Sequence, residues 1–162
     1  MTHKIISNST PLIALSKINR LHIIKELFGA ITIPKAVYRE VVSDSKGRAG
    51  KNEVASASWI TTKEVKNKLA IELLAVNVDL GEAEAIALAK ELDADLLLID
   101  DKAGRKTAQS VGIPIAGTVG LLLRYFRANR DEFKMVLDEL VAKGFRIGRK
   151  EYDKMLKLSE SG

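Results

Sequence analysis

Four carboxylates and one amide stand where this sequence could do chemistry. The sharpest signal is Asp100-Asp101, directly after the apolar run Leu96 to Ile99. A continuously apolar run suits a strand buried on both faces of a parallel sheet. The carboxyl end of such a strand opens into the crevice where α/β folds bind ligands. One of the two acids is expected to cap the next helix, "KAGRKTAQSVG"; the same role for both is not. Glu40, in "PKAVYREVVSD", shares a helical side with Val37 and Val41, one turn after Ala36. An acid in an apolar stripe is paired, hydrogen-bonded or bound to a cation, or else it reaches solvent at the boundary. In "DLGEAEAIALA", Glu82 and Glu84 lie about 200° apart on a helix. The Glu82 side continues through Ala85, Ile86, Ala89 and Leu92 and faces inward, whereas Glu84 is expected on the exposed side with Leu88 and Glu91. Asp79 and Glu82 also fit an acidic capping box, so two readings of Glu82 stand side by side. Asn8, in "KIISNSTPLIAL", ends the short apolar run Ile5-Ile6.

These groups share one chemistry. The chain has no Cys, and its two His, His3 and His22, lack metal-ligand spacing. Any metal must then be held by oxygen, which favours Mg²⁺ or Mn²⁺ over Zn²⁺. Carboxylates packed together need a cation to offset their repulsion. Water activated at such a site, attacking a phosphodiester in line, is the reaction it serves best.

The elements that must position these groups alternate between strand and helix. "KIIS" reads as a strand, with Thr10-Pro11 opening a helix. Asn19 is expected to cap "RLHIIKELF", which stops at Gly29. "AITI" is a strand, and Pro34 starts the helix "PKAVYREVV". "SDSKGRAGKNE" is polar, basic and Gly-bearing, and is expected to be a loop. "WITTKEV" is an edge strand and "NKLAIELLAV" a helix. "DLGEAEAIALAKELD" is helical, "ADLLLIDD" a strand, "KAGRKTAQSVG" a helix ending at Gly112. "IPIAG" is a further strand and "TVGLLLRYFRAN" a helix. From Asp131 onward the pattern is helical, broken near Gly144 and Gly148. Alternation of this kind implies βαβ units and an open parallel sheet flanked by helices, an α/β fold.

At 162 residues, 46% apolar and 29% charged, the chain is expected to form one globular domain, 1–162. No apolar run approaches the ~18 residues of a membrane helix. The early apolar stretches are interrupted by Ser, Asn and Pro, unlike a signal peptide, so a cytoplasmic protein is expected. Charge is uneven: residues 1–101 carry 13 Lys and Arg against 14 Asp and Glu, and residues 102–162 carry 13 against 7. The basic carboxyl-terminal part suits a polyanionic partner or a solvated helical surface.

Five segments in order, "ISNSTPLIAL", "IPKAVYREVV", "LGEAEAIALA", "LLLIDDKAGRKTA" and "GIPIAGTVGLLLR", resemble the PIN domain, in its prokaryotic PIN-like branch of predicted nucleic-acid-binding proteins. The resemblance covers roughly residues 4–145 and leaves 146–158 as a helical extension. It implies a three-layer sandwich around a parallel, roughly five-stranded sheet, with acids around one or two Mg²⁺ or Mn²⁺ ions. It implies a metal-dependent ribonuclease, in many members a toxin of VapBC-type toxin–antitoxin pairs, and frequent homodimers. On this resemblance the first family acid falls on Asn8, the second on Glu40, the third on Glu82 and the fourth on Asp101, with Asp100 as neighbour or substitute. Thr118 matches a position that hydrogen-bonds the site or caps the next helix. The family usually has Asp where Asn8 stands; one neutral carbonyl oxygen replaces two charged ones, and metal affinity should fall.

The implied roles follow. Glu40, Glu82 and Asp101 are the catalytic residues, and Asn8 and Asp100 complete the metal shell. Lys102, Arg105 and Lys106, with Thr118, are expected to meet RNA, and Arg124 and Arg127 extend the basic surface. With one Trp, three Tyr and four Phe, no stacking platform for bases is legible. The other reading is a non-catalytic nucleic-acid- or protein-binding module. A nucleotide-binding domain is disfavoured, because neither G-x-G-x-x-G nor a P-loop is present.

Overall fold

The computed structural model describes residues 3–160. Its strands are β1 (Ile5–Ser7), β2 (Ile31–Pro34), β3 (Ile60–Lys63), β4 (Leu96–Leu98) and β5 (Ile115–Ala116). Helices α1 (Ser9–Lys17) and α2 (His22–Phe28) follow β1. Helix α3 (Lys35–Tyr38) runs on into a π-helical turn, Arg39–Ser43, and α4 (Lys51–Ser56) precedes β3. Helices α5 (Lys68–Leu74) and α6 (Leu80–Glu91) lead into β4. Helix α7 (Lys102–Ser110) joins β4 to β5, and α8 (Thr118–Tyr125), α9 (Arg130–Ala142) and α10 (Arg149–Glu160) complete the described chain.

All strand pairs are parallel, in the order β3-β2-β1-β4-β5. The expected α/β sandwich with a five-stranded parallel sheet is therefore the fold, and "WITTKEV" supplies its edge. The chain builds outward from β1 to β3, then returns to β1's other side with β4. That reversal opens a crevice at the carboxyl ends of β1 and β4. Alternation along the strands divides the core. Ile5, Ile31, Ile33 and Leu98 face α1, α2, α8 and α9, where Phe133 is fully buried. Ile6, Leu97 and Ile99 face α6 and α7, against Ile86, Leu88 and Ala108. Helix α10 packs on α8 and α9.

Several local expectations change. Helix α1 starts at Ser9, with Asn8 as its extended N-cap, so Pro11 is the third helical residue. That position is tolerated because first-turn N–H groups lack intrahelical partners. Asn19 does not cap α2: it takes a left-handed φ of 57°, and the helix begins at His22. Only the end of the expected loop is helical: Lys51, Asn52 and Glu53 open α4, which the buried Val54 anchors to the core.

The largest correction concerns Glu84, which is 9% exposed, not on an outward face. Nine consecutive residues of α6, Gly81 to Ala89, are buried. The helix lies against β1 and β2 on one side and under α3 and α5 on the other. Small residues all round a helix allow such close approach, and the Ala-rich "AEAIALA" is the sequence signal for it.

Candidate active site

The parallel sheet brings Asn8, Asp100, Asp101 and Thr118 to one edge, because each follows the carboxyl end of β1, β4 or β5. The Asn8 N–H continues the ladder by donating to Leu98 O at 2.9 Å. Its side chain is 5% exposed yet bonds no backbone N–H of α1. Instead the amide stands beside the first turn of α6. A β-carbon on Gly81 would lie 3.7 Å from Asn8 Oδ1, 3.7 Å from Glu40 Oε2 and 3.6 Å from Asp79 Oδ1. Three oxygen-bearing side chains from three elements thus converge around Gly81. Glu40, in the π-helical turn, is half-buried.

Glu82 faces inward, 6% exposed, and also closes the capping box. Its N–H donates to Asp79 Oδ1 at 2.8 Å and its Oε1 accepts from the Asp79 N–H at 3.2 Å, a complete capping box. Its other oxygen, Oε2, is buried with no hydrogen-bond partner. Burial pushes the Glu82 carboxyl up to about 8, and the facing Asp101 carboxylate adds to the shift. A neighbouring carboxylate in a buried setting disfavours the charged form of Glu82. Glu84 points elsewhere: Oε1 accepts from the Ala36 N–H at 3.0 Å, and Oε2 lies 3.8 Å from Arg39. It serves the start of α3.

Asp101 caps α7, its Oδ2 accepting from the Gly104 N–H at 2.9 Å. Gly104 leaves room there: a β-carbon would sit 2.7 Å from Glu82 Oε2 and 2.7 Å from Ile99 Cδ1, so those side-chain ends would have to shift. Asp100 accepts the Thr118 N–H at 2.8 Å and the Thr118 hydroxyl at 2.6 Å. Burial raises the Asp100 carboxyl, opposed by both Thr118 hydrogen bonds and by Arg105. Only Asp101 caps α7, as expected of one acid of the pair, and Asp100 holds the start of α8 instead. Thr118 is fully buried, so it orients Asp100 and does not meet nucleic acid as expected.

Basic residues surround these acids. A cleft of about 450 Å³ contains Asp100 and Asp101 together with Lys17, Arg48, Lys143 and Arg146. A second, of about 700 Å³, holds Glu40, Asp79 and Gly81 and shares Arg48 with the first. The Arg48 guanidinium donates to Glu40 O at 3.3 Å. A third cleft, about 880 Å³, takes Lys102, Arg105 and Lys106, again beside Asp100. Sequence reasoning does not single out Arg48, Lys17, Lys143 or Arg146. Their helices and loops are remote in the chain, and no spacing signal joins them.

The donor set is all oxygen, which suits a hard divalent cation. The orphaned Glu82 Oε2 against Asp101 is the observation that fits one. Among the described residues, no group of three or more acidic or His side chains stands close enough to hold a metal. Glu82 neighbours Asp101 and Asp79, and Glu40 stands with Asn8 and Asp79 around Gly81. A family model described as a PIN domain matches residues 4–161. No curated protein matches the chain. No helix among the described residues is long and apolar enough to cross a membrane.

Proposed function

The chain belongs to the PIN-domain family, and we propose that it is a Mg²⁺- or Mn²⁺-dependent endoribonuclease, the toxin of a toxin–antitoxin pair. The observation that carries this reading is the buried, donorless Glu82 Oε2 facing Asp101 at the carboxyl edge of the sheet. Glu82 and Asp101 would hold the cation, with Glu40 and the Asn8 carbonyl supplying further oxygens from across Gly81. A bound divalent cation offsets phosphate charge and makes a bound water more acidic. Glu40, beside Gly81, would also orient the attacking water. Asp100, tied to Thr118, keeps the starts of α7 and α8 together and so fixes the Asp101 backbone. Arg48, Lys102 and Lys106 hold the flanking phosphates of the RNA.

The test is Mn²⁺ calorimetry on the wild type and Asp101→Ala, alongside cleavage of a mixed RNA. Binding and cleavage in the wild type, both lost in the variant, are expected. A wild type that binds no Mn²⁺ overturns the enzyme reading.

A second reading rests on the neutral Asn8 and the lack of a three-acid cluster among the described residues. In it the chain is a PIN-like binding module, and RNA binding persists without metal or cleavage. For protein partners, the proposal is a homodimer through α5. Leu69 and Leu73 on α5 are 63% and 64% exposed, Val76 in the turn after it is 79% exposed, and exposed Leu80 opens α6. A two-fold axis would set this one stripe against itself. An antitoxin on the same stripe is the competing outcome.

A further inference from the structure

A further cleft, of about 520 Å³, shares no lining residue with the three around the acids. Trp59 lines it directly before β3, and the Trp59 carbonyl accepts the Ile31 N–H at the start of β2 at 3.0 Å. In a parallel sheet that is the amino edge, opposite the edge that carries Asn8, Asp100 and Asp101. The buried Ser16 and Leu21 line the cleft from the end of α1 and the turn before α2. His22 and Lys25, one turn apart on α2, form one side, and Glu53 lines it from α4. Ile24 and Val54, the buried neighbours of Lys25 and Glu53, anchor both helices in the core.

We infer that this cleft binds a free nucleoside monophosphate. The base stacks on Trp59, the ribose hydroxyls donate to the Glu53 carboxylate, and Lys25, with His22, holds the phosphate. The site is separate from the acids, and the inference does not depend on the ribonuclease reading.

The charges favour a ligand that offers both an anion and hydroxyl donors. Among the described residues neither Lys25 nor Glu53 forms an ion pair, although both line the one cleft. An ammonium and a carboxylate that share a space without closing on each other can take a phosphate and a diol at once. A carboxylate accepting from ribose hydroxyls is a recurrent way of holding a nucleotide. His22 is shared with Glu26, 3.7 Å away, so Lys25 makes the main phosphate contact. Trp59, the chain's one Trp, is half-buried and packs against the core, which holds its ring ready for a base. The size suits one nucleotide, because small-ligand sites span about 300–1,000 Å³. A single phosphate on one Lys needs no Gly-rich loop, so the absence of that motif from the chain is no obstacle.

Trp59 fluorescence reads the site directly, because no second Trp contributes. Titrating the metal-free protein with AMP should quench the emission saturably, and calorimetry reads the same binding without the indole. Lys25→Glu and Glu53→Ala should each weaken AMP binding by about tenfold, the usual share of one charge-assisted contact. Both side chains are exposed, so both variants should keep the fold, checked by far-ultraviolet circular dichroism. Folded Asp101→Ala should bind AMP as the wild type does; loss of binding there places the nucleotide at the acids and overturns the separate site. No binding of millimolar AMP by either method overturns the inference. Inorganic phosphate that competes as well as AMP also overturns it, since the patch then takes any anion. ApA, whose diol-bearing unit carries only a phosphodiester, should bind more weakly, and equal binding overturns the free nucleotide as ligand. Mn²⁺ binding and RNA cleavage are read separately, so the ribonuclease reading stands or falls by itself.

Discussion

Asp100 accepts both the backbone N–H and the hydroxyl of Thr118, at 2.8 and 2.6 Å. Eighteen residues apart in the chain, the two lock the end of β4 to the start of α8. Thr118→Val keeps the shape and the N–H but removes the hydroxyl donor. Losing a hydrogen bond to a partly buried carboxylate should cost about 1.5–3 kcal/mol, read from urea unfolding. Wild-type stability in the variant would mean that the hydroxyl contributes nothing there.

Glu82 predicts an unusual pH dependence. Its folded-state carboxyl is raised to about 8, against an ordinary glutamate value of 4.5. The folded state therefore holds the proton more tightly than the unfolded state. Below 4.5 both states are protonated and nothing is lost. As pH rises from 4.5 to about 8, the unfolded state ionises first and stability falls; beyond that window the loss is complete. Thermal melts of the metal-free protein should show a falling Tm across this range. Glu82→Gln should flatten the profile, and a profile equal to the wild type's would remove Glu82 as its source.

Asn8→Asp adds a charged oxygen beside Glu40 Oε2 and Asp79 Oδ1. The variant should bind Mn²⁺ more tightly by calorimetry and, without metal, should be less stable because three acids then crowd Gly81. Unchanged affinity would take Asn8 out of the metal shell.

Leu73→Glu puts a charge in the middle of the exposed α5 stripe. If two copies meet there, sedimentation should show dimer in the wild type and monomer in the variant, with Mn²⁺ binding retained. A monomeric wild type rejects the homodimer and leaves the stripe to another protein.

What sequence could reveal differed by element. "LLLIDD" disclosed both a buried parallel strand and the acids at its end, because a strand covered on both faces must be apolar throughout. Asp79 and Glu82 disclosed a capping box, because that motif is closed within four residues. Glu84 escapes the helical pattern because its burial depends on α3 and α5, which pack on the side of α6 that a two-layer picture leaves to water.

The sequence by itself determined the alternation of strands and helices, the family, and the oxygen-only chemistry of the site. Periodicity and the absence of Cys are local properties that folding does not alter. Only the tertiary structure decided which acids meet. It joined Glu82 Oε2 to Asp101 through the close approach permitted by Gly104, and gathered Asn8, Glu40 and Asp79 around Gly81. It also brought Lys17, Arg48, Lys143 and Arg146 into one cleft from α1, a loop and the end of α9. The physical reason is the same in each case. Carboxylate repulsion and cationic attraction act over a few ångströms of space, and separation along the chain does not set that distance.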